Sequence, residues 1–282
     1  MTRLLNANFA RLFKGKLFWI CAGAAFILGL VEVFTHIKNP TNNPDYVFRP
    51  EVWLFNMSGV ILLIITAILV GVFVGAEHGG ILRNKIIVGQ KRITVYFADL
   101  FTCCIGIVII HALFVAAVLL TGLLCGGENL LKFDEIFFYE LLQLASLLEM
   151  CAFFTALTML IPKKLAGTIA ALVMVFAFFF ISNSIPGKLF EIERKVEGAV
   201  ASAAYIVEKE ILTITQDVLP FGQHDQIRNG FFRLITSKEY ELAGETYGME
   251  LTYPIEIAPS ALCVFVLTTA VGTLVFRKKN IK

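Results

Sequence analysis

The sequence predicts an all-α integral membrane protein with six transmembrane helices. An amphipathic helix precedes the first span, a short helix sits in the loop between the second and third, and a helical extracytoplasmic region separates the fifth from the sixth. Three observations predict this. Of 282 residues, 57% are hydrophobic and only 16% are charged, with a mean hydropathy of +0.78, too few charges to cover a water-soluble domain of this length. Six apolar runs reach the roughly 20 residues that a helix needs to cross the hydrocarbon core. Lys and Arg alternate in density from one connection to the next, as the positive-inside rule requires.

Residues 1–16 place Leu4, Leu5, Phe9, Leu12 and Phe13 on one helical face and basic residues on the other, the pattern of an elbow lying in the membrane interface. Five spans and their loops fill residues 17–186: Leu17–His36, Trp53–Gly75, Tyr96–Leu124, Ile136–Ile161 and Leu165–Ile185. The loop at 76–92 is basic and punctuated by glycines, with a short apolar helix-like core from Ile81 to Val88. Residues 187–256 form the extracytoplasmic region. Its first helix, Leu189–Val218, carries Ile192, Val196, Val200, Ala203, Val207, Ile211, Ile214 and Val218 near one face. Glu191, Arg194, Lys195, Glu208 and Lys209 are too frequent there for a span, Pro220 and Gly222 end the helix, and a shorter one follows around Gln226–Thr236. Residues 257–282 hold the sixth span, Ile257–Phe276, and a basic tail.

Arg3, Arg11, Lys14, Lys16, then Arg83, Lys85, Lys91, Arg92, then Lys163 and Lys164, and finally Arg277, Lys278, Lys279 and Lys282 fall on one side of this topology. The two short opposite loops hold Lys38, Arg49 and Lys132. Both termini are therefore expected in the cytoplasm.

Several chemistries are excluded. No G-x-x-x-x-G-K-[ST] loop is present to cradle nucleotide phosphates, and neither H-E-x-x-H nor G-x-S-x-G occurs. The basic residues follow topology instead of forming a nucleic-acid patch. The six cysteines lack ligand spacing and read as small apolar residues. Ionisable groups inside spans cost about 2.5–3.5 kcal/mol each on insertion scales, so each one needs a reason. His111 and Glu149 lie near the middle of the third and fourth spans, where antiparallel packing could bring them to one depth. Gln143 and Ser146 precede Glu149 at three-residue steps, so the four residues are either a polar patch on a substrate path or an interhelical hydrogen-bonded group. Glu32 and His36 are spaced for an i,i+4 pair near the end of the first span, and Asp99 is expected to reach the interface. Gly71-x-x-x-Gly75 and Gly122-x-x-x-Gly126 permit close helix approach.

The stretch "FVGAEHGGILRNKIIVGQKRITVYFADL", Phe73 to Leu100, resembles the region after the second span of type-2 ATP-binding-cassette permeases from Gram-positive bacteria. Glu77, Gly80, Arg83, Asn84, Lys85, Gly89, Arg92 and Tyr96 carry the likeness, with Ile81 standing where a Thr is usual. The start "LLNANFARLFKGKLFW" is similar to the family's elbow, so the resemblance covers nearly the whole chain.

The resemblance implies a permease that binds no cofactor itself. It would work with a separate ATPase subunit holding ATP and Mg, two permeases and two nucleotide-binding chains per transporter. Gly79–Lys91 becomes the coupling helix, with Glu77, Gly80, Arg83, Asn84, Lys85, Ile86 and Arg92 as ATPase-coupling residues. His111, Gln143, Ser146 and Glu149 are the candidate cargo path. The expected function is export of amphipathic or hydrophobic cargo, small membrane-active peptides first, across a bacterial plasma membrane, by a dimer with a second copy or a paralogue. An antimicrobial-peptide immunity or sensing permease, and a drug or sodium efflux permease, stay open as alternatives. No enzymatic activity and no nucleic-acid partner is expected.

Overall fold

The computed structural model describes residues 1–37, 47–56, 58–198, 203–242, 244 and 254–278. Among them 89% are helical and none lies in a strand. Helix α1 (Thr2–Lys14) and α2 (Lys16–His36) are separated by an extended Gly15. A 3-10 turn at Pro50–Phe55 leads into α3 (Ser58–Gly75), and a second at Ala76–Gly79 leads into α4 (Ile81–Ile87). Then follow α5 (Arg92–Leu124), α6 (Phe133–Leu160), α7 (Lys164–Gly198), α8 (Ala203–Val218), α9 (Pro220–Leu242) and α10 (Ile257–Lys278).

Six of these helices are long and apolar enough to cross a membrane: α2, α3, α5, α6, α7 as far as Ile192, and α10. The chain thus has the make-up of a multi-pass membrane protein. Helices α3 and α6 are the most enclosed. Helix α6 touches α3, α5, α7, α9 and α10, while α2 lies mainly on α5 and α7 mainly on α3. The outer helices expose large apolar side chains, among them Ile20, Ile27 and Phe34 on α2, Phe176 and Phe180 on α7, and Leu262 and Val271 on α10. Water would penalise such a surface, whereas acyl chains accept it.

The small-residue pair Gly71 and Gly75 serves packing within the chain. A Cβ on Gly71 would lie 2.9 Å from Thr168 Cα, and one on Gly75 would lie 2.8 Å from the Lys164 carbonyl oxygen, so these glycines let α3 and α7 touch backbone to backbone. Gly122 is likewise covered by Pro50 of the same chain. The cysteines form no disulfide among the described residues; Cys21, Cys103 and Cys151 are buried, while Cys263 is exposed.

Several boundaries differ from the sequence reading. The second span begins at Ser58, because Pro50 starts a 3-10 turn that takes up Trp53 to Phe55. The third and fourth spans begin at Arg92 and Phe133, ahead of their apolar runs. The fifth does not stop at Ile185: α7 continues through Pro186 to Gly198, so the helix expected to begin at Leu189 starts as an extension of the span, with Ile192 buried. Ala203–Val218 is a separate element; Val200 falls outside the described residues, as do Lys38, Lys279 and Lys282. Helix α9 is about twice the expected length and buries Pro220, Phe221, Gln223, His224, Ile227, Phe231 and Leu234. Pro220 suits the first helical turn, where a missing N–H costs nothing.

Candidate functional site

At the end of the bundle that carries α1, α4 and Lys164, the chain leaves α3 through a tight turn. Gly80 (φ 104°) and Gly89 (φ 89°) bracket α4 in the left-handed region, which side chains with a Cβ avoid. Leu82 of α4 is buried, Lys85 and Ile86 are half-buried, and Ile81, Arg83, Asn84, Ile87 and Val88 are exposed. The expected coupling residues therefore divide. Arg83 and Asn84 face outward, while Glu77 and Lys85 turn into the protein. Arg92 donates from Nη1 to the Arg277 carbonyl oxygen at 3.1 Å, which joins the start of α5 to the end of α10.

Glu77 is fully buried and paired with Arg11 of α1, whose guanidinium also stacks 3.9 Å from the centre of the Phe73 ring. Lys85 Nζ donates to Glu77 Oε1 at 2.8 Å, to Asn8 Oδ1 at 3.2 Å and to Asp99 Oδ1 at 3.4 Å. Asn8 Nδ2 donates to Asp99 Oδ1 at 2.6 Å. Two cations thus meet two carboxylates, and α1, the turn after α3, α4 and α5 are tied into one charge-balanced knot. Asp99 does not reach the interface as expected. It is fully buried, and Asn8, Lys85 and Arg11 compensate its charge.

A second polar group lies deep in the bundle, where the first turn of α9 enters between α3, α6 and α7. Gln223 Nε2 donates to Glu149 Oε2 at 2.9 Å and to the Asp217 carbonyl oxygen at 2.8 Å. His224 Nδ1 lies 2.9 Å from Gln143 Oε1, to which it donates, and its ring presses directly on Gly59 of α3. Burial first, and the nearby Arg228 second, hold this imidazole down at about 4, so it is neutral near pH 7. Phe221 packs edge-on against Phe179 of α7. Ser146 is buried on α6, between Gln143 and Glu149. Glu149 Oε1 and Gln223 Oε1 have no hydrogen-bond partner.

His111 does not meet Glu149. Its neighbour is Glu140, one turn before Gln143 on α6, with Nε2 2.9 Å from Oε2. The cargo-path candidates therefore fall into two places: Gln143, Ser146 and Glu149 beneath α9, and His111 with Glu140 between α5 and α6. Glu32 and His36 do approach, at 3.9 Å, and His36 stacks on Trp53.

Sequence reasoning missed Asn8, Arg11, Glu140, Gln223 and His224 as members of these groups. Only Glu140 carried a signal, since it is an ionisable residue inside an apolar run. No family model and no curated protein matches this sequence. Among the described residues, no group of three or more His, Cys, Asp or Glu could hold a metal ion.

Proposed function

We propose that the chain is the membrane-spanning subunit of an exporter driven by a separate ATPase, working as a dimer in a bacterial plasma membrane with both termini in the cytoplasm. The observation that carries this reading is α4. It is a short helix fixed between two left-handed glycines, tethered from behind by Lys85 and presenting Ile81, Arg83, Asn84, Ile87 and Val88 outward. A chain without its own phosphate loop must receive work mechanically, and an exposed apolar and basic helix with a charge-locked base suits that task. The knot of Arg11, Glu77, Lys85 and Asp99 would pass displacement of α4 to the α1 elbow and to α5. The deep polar group of Gln143, Ser146 and Glu149 offers hydrogen-bonding partners in an apolar setting. That supports amphipathic peptide-like cargo over sodium, which would call for several carboxylates at one site.

The test is co-purification with the ATPase chain and cargo-stimulated ATP hydrolysis in Arg83→Glu and Ile87→Asp. Arginine forms bidentate carboxylate pairs that a reversed charge turns into repulsion, and loss of one desolvated interface partner costs about 2–5 kcal/mol. Both variants should insert and fold normally but lose association or coupling. Wild-type values for both measurements in both variants would overturn the reading.

A further inference from the structure

Between α5 and α6 lies a cavity of about 300 Å³, open on the side of the bundle where acyl chains would lie. Phe133, Phe137 and Leu141 of α6 and Val108 of α5 form its exposed rim, and Ala112 sits at the mouth. Its size is at the lower bound of ordinary small-molecule pockets. At its back stand His111 and Glu140, whose side chains are only 7% and 9% exposed. Although Nε2 and Oε2 are 2.9 Å apart, they are not aligned as a hydrogen bond. His111 Nδ1 and Nε2 and Glu140 Oε1 and Oε2 all lack hydrogen-bond partners. Nε2 and Oε2 at least face each other, so Nδ1 and Oε1 are the buried atoms that call for a ligand.

The chemistry of that ligand follows from these atoms. Both Glu140 oxygens are acceptors. A hydroxyl offers them one donor and a quaternary ammonium none, whereas a primary ammonium offers three. Its positive charge answers the Glu140 carboxylate. The apolar walls take a hydrocarbon tail. We propose that this cavity is a laterally accessible binding site for a membrane-dissolved primary amine carrying an alkyl chain, with the ammonium bound by Glu140 and His111. The site belongs to the isolated chain and requires no ATPase, so its failure and the failure of the exporter reading are distinguishable.

The full-length chain in phosphatidylcholine nanodiscs would be photolabelled with dodecylamine bearing a diazirine, and the labelled peptides mapped by mass spectrometry. Label should concentrate in residues 108–119 of α5 and 133–144 of α6. Unlabelled dodecylamine should compete at least about ten-fold better than dodecanol, dodecanoate or dodecyltrimethylammonium, the discrimination of one lost charged hydrogen bond. Glu140→Gln should weaken competition by dodecylamine about ten-fold or more, and Ala112→Phe, at the exposed mouth, should remove the label by filling the groove. If Glu140→Gln does not fold, the competitor panel and Ala112→Phe still decide. Label spread evenly over all lipid-facing helices would overturn the proposal. So would equal competition by dodecanol, insensitivity to Ala112→Phe, or exclusion of the label because a second copy covers the groove.

Discussion

At the α4 end of the bundle, Arg11 and Lys85 are packed against Glu77 and Asp99, with Asn8 between them. Beneath α9, a single carboxylate, Glu149, has an amide as its partner, and the neighbouring His224 and Gln143 pair with each other. The first group cancels its charge internally, so it gains from staying assembled and loses heavily when one member is removed. The second sets no cation against Glu149 and leaves Glu149 Oε1 and Gln223 Oε1 without partners. Such an arrangement is weakly held and can exchange its partners for those of another molecule. The difference separates a part held together by paired charges from a part that leaves buried polar groups unsatisfied.

The sharpest way to break this comparison is Glu77→Gln, which keeps the shape and removes one charge. Arg11 and Lys85 would then share Asp99 alone. Removal of one partner of a buried pair typically costs 3–5 kcal/mol, and the low end, about 3 kcal/mol, is expected because the Arg11 side chain remains 27% exposed. Thermal unfolding in detergent should register the loss, and hydrogen exchange should rise in α1 and α4 while residues 220–235 stay protected. Unchanged exchange at α1 would show that the knot does not hold that helix.

A smaller effect is expected where α9 enters. Gly59 lies directly beneath the His224 ring, so Gly59→Leu should push the first turn of α9 out of its seat. Overpacking of this kind costs about 1–3 kcal/mol. Hydrogen exchange should rise across residues 220–235 and remain unchanged around Glu77 and Asp99. If the two regions respond together, they are one cooperative unit and the contrast between them fails.

The six apolar helices were legible because a run of about twenty apolar residues has few other uses. The breaks around α4 were legible for a similar reason: Gly80 and Gly89 flank it, and both adopt the left-handed conformation that favours glycine. The polar groups were not, because their members are far apart in sequence. Asn8 and Asp99 are separated by 91 positions, and His224 and Gln143 by 81. In α9, Gln223 and His224 are polar residues in a polar helix, and nothing local distinguishes the turn that buries them. Glu140 obeyed the same rule that drew attention to Glu149, an ionisable side chain in an apolar span, and belonged in the same reading. Pro186 directly follows Ile185, the expected end of the fifth span. An interior proline usually ends a helix, yet here burial of Ile192 beyond it accompanies a helix that continues to Gly198.

The smallest effect should come from Glu149→Gln, the same chemical change as at Glu77 but in a neutral setting. The Glu149 carboxyl accepts one hydrogen bond, from Gln223 Nε2, and a glutamine carbonyl can accept it equally well. The new amide also supplies a donor where Glu149 Oε1 and Gln223 Oε1 now stand as two unpartnered oxygens. No cation is left uncompensated by the change. Stability should therefore shift by no more than about 1 kcal/mol, in either direction, against the loss of about 3 kcal/mol expected for Glu77→Gln. Paired unfolding curves for the two variants read this directly. Because the fold is left intact, Glu149→Gln also isolates the role of the charge in transport. A transport rate equal to wild type would mean that the carboxylate only packs, whereas a reduced rate at unchanged stability would place Glu149 on the cargo path.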